Sequence, residues 1–353
     1  MLEYIGDIFH HFVDPKKRVF LGYIALSIAI ALLWLVFFKK KGLKSAIFKV
    51  FDKKILLSGS AISDYKMFLI NRVLMLVLSP YLLTQLAVAT FFYYSLLSLP
   101  LSGLLSFLSD TPAIVIAILF TFVFFTFDDF TKYWVHRWMH KWPVLWALHK
   151  VHHSAETLNP ITVYRTHPLE GILFSLRGAF SQGTVISTFF FIFGDKVDLV
   201  TILGVNFLVF SFHVAGSNLR HSHIAIKYWA WLEKILISPA QHQLHHSLDE
   251  RHYDKNFGAA LAIWDWIFGS LHHSEDIDNL ILGVEDNDFN PTSIMELYLK
   301  PMKEISDIAA ESLSSFKSLM KFLKISKEVN LVIMVLAIYV LFPLQQSTNF
   351  CLI

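Results

Sequence analysis

One cysteine is all that this 353-residue chain contains, and it stands third from the end, at Cys351. No internal disulfide can form, and the position is one residue short of a prenylation box. Charge is scarce as well. Only 16% of residues are Asp, Glu, Lys or Arg, and the formal net charge of +2 gives no reason to expect a nucleic-acid partner. No GxGxxG follows a strand-like run, so no flavin or dinucleotide site is marked. No fused haem domain, internal repeat or low-complexity linker is evident. Any electrons used here must come from a separate partner.

Apolar surface is in excess. Hydrophobic residues make up 55% of the chain, with 33 phenylalanines. Runs of roughly 18 or more apolar residues mark membrane spans. Residues 19–38 form the clearest run and carry no charge. Others cover 73–99, interrupted at Pro80, then 113–127, 172–193 and 198–215. The run 172–193 contains Arg177, which at membrane depth requires a protein partner or an interfacial position. A last, short run at 331–344 can span or lie in the interface. The first run is too long for a signal peptide, and KKKGLK follows it instead of a small-residue cleavage site.

Nine basic residues between Lys39 and Arg72, against Lys16, Lys17 and Arg18 before the first run, place 39–72 in the cytoplasm and the N-terminus outside. Two hairpins, 73–99 with 113–127 and 172–193 with 197–215, then return 128–170 and 216–325 to the cytoplasmic side. The expected fold is an all-α integral membrane protein, a small bundle of transmembrane hairpins under a cytosolic helical cap. Beyond it, 274–300 is acidic and loop-like, with a turn signal at Asn290-Pro291, and 301–325 has the apolar period of an amphipathic helix. That helix either lies on the bilayer or packs on the cap. The division expected is 1–72, 73–272 and 273–353.

The cap carries the chemistry. His136 and His140 stand in HRWMH, His149, His152 and His153 in HKVHH, and His242, His245 and His246 in HQLHH. On helices, residues three and four apart share a face, so each box aims two or three imidazoles at one point. Imidazole suits iron, zinc, copper or nickel, and eight rings exceed the need of one ion, so the spacings suit a dinuclear centre. A lone HxxxH is more often a surface pair or a core histidine; three boxes in one chain reverse that balance. An all-histidine cage leaves the metal charge uncompensated, so nearby carboxylates should orient the ring N–H groups. Asp129, about two turns before His136, and Glu156 are candidates, with Asp128, Asp249, Glu250 and Asp254 also close in sequence. Trp134, Trp138, Trp142 and Trp146 recur every four residues, as an aromatic belt at the headgroups or the wall of a lipid path.

These boxes, with DKNFG after the third and WDWIFG closing the segment, resemble the fatty acid hydroxylase/sterol desaturase superfamily over roughly residues 115–272. The superfamily includes sterol C5-desaturases, sterol C4-methyl oxidases, sphingolipid fatty acid 2-hydroxylases and alkylglycerol monooxygenase. The resemblance implies a non-haem di-iron oxygenase that uses O₂ to hydroxylate or desaturate an unactivated C–H bond of a lipid, with the eight box histidines as ligands of two iron ions. It also implies a cytochrome b5-like, ferredoxin-like or reduced-pterin electron donor. Relatives add a histidine between the second and third boxes, for which His213 is the candidate here. His167, in YRTHPLE, matches a common family element and is read with Asn256, in DKNFG, as supporting the ligands. His221, His223 and His252 are read as surrounding or surface residues. Two other classes of protein also gather histidines. A metal transporter would place its ligands near the bilayer midplane, whereas these boxes lie in polar segments. A non-catalytic metal-binding scaffold would tolerate loss of a box, and all three are intact. Within the oxygenases, alkylglycerol monooxygenase-like cleavage of an ether lipid is the alternative. No spacing separates hydroxylation from desaturation.

Overall fold

The computed structural model describes residues 12–322, less 16, 101–107, 109, 198–207, 209–210, 214–216, 275–279 and 287, together with Gly6. Most of the expected run 198–215, all of 331–344 and Cys351 lie outside the described residues. Among those described, regular structure is helical, and β pairing amounts to two isolated bridges, Leu236 with Leu261 and Ser247 with Leu282.

Helix α1 (Leu21–Leu33) continues as a π turn, Trp34–Phe38, and leads into α2 (Leu43–Val50). The stretch expected as one span over 73–99 is instead two helices, α3 (Gly59–Leu78) and α4 (Gln85–Leu97). Pro80 has no N–H to continue α3, so the chain passes through a 3₁₀ turn, Ser79–Tyr81, and restarts where Thr84 caps the N–H of Ala87. The first half of α3 buries Asp64, Met67 and Phe68 in the cap, while Val73, Leu76 and Val77 of its second half are exposed and apolar. Among the described residues, three stretches are long and apolar enough to cross a membrane: Leu21–Phe38, Gly59–Leu97 and α5 (Ala113–Lys141).

After α5 come α6 (Pro143–His153) and α7 (Pro168–Phe193). The main neighbour of α4 is α7, which also packs against α5. The 73–99 stretch therefore finds its principal partner in α7 and not, as the hairpin reading has it, in the helix that follows it. The approach is close: a Cβ on Gly183 would stand 2.9 Å from the backbone of Ala89 and the side chain of Val88. Between α5 and α7, Ile116, Phe120, Val185 and Phe189 form a shared core. Arg177 finds the protein partner its depth demands, an ion pair with Asp128 at 2.9 Å.

The N-terminal segment, expected on the opposite side of the first run from residues 39–72, touches the same stretch of cap as they do. Arg18 bonds Asn218 and the carbonyl of Ser217, and it reaches the ring of His221. At the other end, Lys49 offers its carbonyl to His223. Ala31 and Leu35 share a core with Leu219, Ile224 and Ile226. Both ends of α1 are thus held to one stretch of cap.

The cap is completed by α8 (Pro239–His245), the single turn α9 (Ile263–Ile267) and α10 (Ile294–Phe322). The last begins at Ile294, earlier than the expected 301, and runs through Pro301. It packs on the cap: Leu297 joins Met67, Val151 and Phe289 in a core, and Lys150 of α6 bonds Asp286 and Glu304.

Candidate metal centre

Each histidine box is set by a helix end. His136 and His140 stand one turn apart at the end of α5, after which Trp142 is extended and Pro143 opens α6 at the position where a missing N–H costs nothing. His152 and His153 occupy the last turn of α6 and His149 stands just before it. Ahead of the third box, Ser238 and Gln241 form a reciprocal capping box, with Pro239 at the first helical position, so α8 starts at a defined point and presents His242, His245 and then His246.

These elements bring nine imidazoles into two adjoining groups. His136, His140, His149, His153 and His245 form one; His152, His221, His242 and His246 form the other. Within each group one nitrogen per ring lies within 4.8 Å of all the others. All eight box histidines are present, and the groups meet where His153 and His246 stack at 4.5 Å. The ninth member is His221, at the end of the turn Ser217–His221, and not His213. His213 lies outside both groups, bonded to Ser217 and packed on Tyr23. Both expectations, His213 inside and His221 outside, are reversed.

The cage fits cations, on two observations. His136 and His245 each donate Nδ1–H to a carbonyl, of Phe257 and Lys255, both at 2.7 Å. Their Nε2 atoms therefore carry lone pairs, yet face one another at 3.0 Å. Two acceptors at that distance repel unless a positive charge lies between them. Further, Nε2 of His140, His149 and His153 and both ring nitrogens of His246 are buried without a hydrogen-bond partner, a cost a metal would remove. Burial pushes the imidazoles of His149, His153, His221, His242, His245 and His246 well below their usual range, and that of His152 to about 3. Neutral rings are the form that binds metal.

Among the described residues, the carboxylate that meets a ring of the cage is Glu170, 2.8 Å from Nδ1 of His149. It stands in the first turn of α7, and burial pushes its carboxyl well above the usual range. A cation on the far nitrogen of His149 would oppose that push. Glu156, expected in this role, is exposed. Asp129 instead receives the N–H groups of Ala260 and Leu261 and the indole of Trp264, fastening the loop after the third box to α5. His167 caps Leu169 at the start of α7 and bonds the carbonyl of Tyr298. Asn256, at φ +57°, donates to the carbonyl of Gln241 and accepts from His272 N–H. These three brace the cage without reaching a ring of it.

Three supports escape sequence reasoning altogether. Asp265 accepts the N–H groups of Phe257 and Gly258, both at 2.8 Å, and so fixes the carbonyl that orients His136. Gly258 is obligatory there, since a Cβ would stand 2.5 Å from the carbonyl oxygen of Leu261. Arg165 is fully buried, pairs with Asp64 at 3.0 Å and donates to the Val151 carbonyl and Ser154, pinning the end of α6. Arg18 approaches Nδ1 of His221 at 3.3 Å. The tryptophan stripe divides: Trp138 and Trp142 stack at the surface, whereas Trp146 packs against His140 and His153.

The sequence profile of the fatty acid hydroxylase family matches residues 121–270. Among characterised proteins, the alkylglycerol monooxygenase of Danio rerio is 32% identical over 156 residues, covering 44% of this chain and 31% of that protein. Its Homo sapiens counterpart is 29% identical over 172 residues, 47% of this chain and 34% of the relative. The lathosterol oxidase of Homo sapiens is 29% identical over 158 residues, 45% of this chain and 46% of the enzyme. The matches thus span about a third to a half of the relatives' own lengths. No solved structure matches.

Proposed function

We propose, from the match of residues 121–270 to the fatty acid hydroxylase family, that this chain is a membrane-bound di-iron oxygenase acting on a lipid. One observation carries the reading: nine histidines, seven buried and two half-buried, are arranged as two groups, and in the larger one Nε2 of His136 and Nε2 of His245 face each other with no proton between them. His136, His140, His149, His153 and His245 would hold one iron and His152, His221, His242 and His246 the other. When bound, the irons supply O₂ reduction and removal of hydrogen from an unactivated C–H bond. For hydroxylation the balance is C–H + O₂ + 2e⁻ + 2H⁺ → C–OH + H₂O.

The protein's share is positional. Carbonyls of Phe257 and Lys255 hold His136 and His245 as single tautomers, and Glu170 does so for His149. Burial keeps the rings neutral and bulk water out of the cage. The exposed apolar faces of α3, α4 and α5 suit a lipid arriving from the bilayer. Electrons come from a separate cytochrome b5-like, ferredoxin-like or pterin donor. A cytoplasmic cap is supported by the basic segment 39–72, which packs directly against it through Ser58 with Thr157 and Asp64 with Arg165. Two alkylglycerol monooxygenases stand among the most similar relatives, which favours an ether lipid as the second reading of the substrate.

The test is metal stoichiometry on anaerobically purified protein, with Mössbauer spectra of iron-57-grown cells. About two coupled irons per chain are expected for a dinuclear imidazole site. Folded protein with one metal or none would return the chain to the non-catalytic readings. Lipid profiles of a deletion strain, with ether lipids, sterols and fatty acyl products compared, then identify the substrate.

A further inference from the structure

A second polar feature lies along α7, away from the histidines. Arg177 is seven residues beyond Glu170, hence about 10 Å further along the helix axis. Its side chain is only 8% exposed. Its hydrogen bonds, to Asp128 O, Asp128 Oδ1, Thr131 Oγ1 and Ser181 Oγ, at 3.1, 2.9, 2.7 and 3.2 Å, all leave from one nitrogen, Nη1. Nε is buried with no acceptor. Nη2 likewise has none among the described residues. A guanidinium recruited only to neutralise Asp128 would turn two nitrogens of its fork toward that carboxylate. Here the Nε–Nη2 edge, whose parallel N–H groups match a carboxylate or phosphate, is left unused.

The surroundings say what would use it. Arg177 lines a pocket of about 430 Å³ between the α3–α4 break and α7. Met75, Leu82 and Phe174 give it apolar walls, and Ser79, Thr84 and Gln182 add polar groups. The charge count is uneven, since Asp128 serves both Arg177 and Lys132, the latter at 2.6 Å. Two cations share one carboxylate, leaving one positive charge over. An oxyanion would balance it, and the apolar walls would take a hydrocarbon chain attached to that anion.

We propose that this pocket binds the acidic head of a single-chain amphiphile, a carboxylate or phosphate on an alkyl chain. Nε and Nη2 of Arg177 grip two oxygens of the head, Gln182 and Thr84 border it, and the chain runs past Met75, Leu82 and Phe174. The site does not depend on the metals and is tested without turnover.

The experiment measures retention of radiolabelled palmitate by the full chain in dodecyl maltoside, with hexadecanol, 1-palmitoyl lysophosphatidate and inorganic phosphate as competitors. Two variants are compared with wild type. Arg177→Lys keeps a cation beside Asp128 but loses the free edge. Gly178→Leu adds bulk at the pocket wall, where a Cβ meets no atom within 4 Å. Palmitate is expected to be displaced by lysophosphatidate but not by equal concentrations of hexadecanol, and both variants are expected to bind it at least tenfold more weakly. Equal displacement by hexadecanol, or wild-type binding in both variants, overturns the proposal. Displacement by inorganic phosphate as readily as by lysophosphatidate reduces the site to one for a free anion and overturns the amphiphile.

Discussion

Nε2 of His136 and Nε2 of His245 face each other at 3.0 Å although both rings spend their only proton on a backbone carbonyl. The contact joins the end of α5 to α8 across 109 residues. It is an arrangement that a positive charge completes.

The two groups should lose metal separately. His245→Ala is expected to empty the five-histidine group and His221→Ala the four-histidine group, each variant falling from about two metals per chain to about one. His213→Ala should retain both, because its ring lies on Tyr23 and Ser217. Elemental analysis after gel filtration reads the counts. Full metal content in either of the first two would remove that residue from the ligand set.

Glu170 touches the cage only through His149. Glu170→Gln keeps an acceptor and drops the charge, and metal affinity should weaken about 10–100-fold. Competition against a calibrated chelator measures it, and an unchanged affinity would make Glu170 a mere helix-start residue.

The Arg165–Asp64 pair is fully buried. Asp64→Asn leaves an uncompensated guanidinium and should cost about 3–5 kcal/mol, whereas replacing both partners by apolar residues should cost less. Thermal denaturation in detergent compares the two. A double variant less stable than the single one would contradict the argument.

Acid should destabilise the metal-free protein. Burial lowers the cage imidazoles, with His152 at about 3 against an ordinary 6.5. The unfolded chain then binds more protons than the folded one between those values, so stability is present above about 6.5 and is lost as pH falls toward 3. Melting temperature should be flat from pH 7 to 8 and drop steeply below 6.5. A stability that rises on mild acidification would show the rings to be charged in the fold.

How much of this could be read from sequence depends on range. Helical spacing within a few residues announced all eight box histidines, and the apolar runs announced the helices that carry them. His221 has no helical-spacing partner to announce it; its place is fixed by a turn that brings it to His152 and His242, 69 and 21 residues away. Glu170 left a faint trace, a lone acid opening an otherwise apolar helix. Glu156 was nearer the boxes in sequence but exposed in space. The contacts of α1 were illegible for a related reason, since Ala31 and Leu35 pack on Leu219, Ile224 and Ile226, which lie far downstream in sequence.

Arg18 waits for partners 199 to 203 residues downstream. Until Ser217, Asn218 and His221 have left the ribosome, its guanidinium has none of the contacts that hold it in the finished fold. The four-histidine group cannot exist before His246 emerges. Assembly of the cage is therefore a late event, and the segment around Arg18 settles long after it is made. A chain stalled in translation soon after the second box would expose α1 without Leu219, Ile224 and Ile226 to pack on, a ready signal for quality control to act upon.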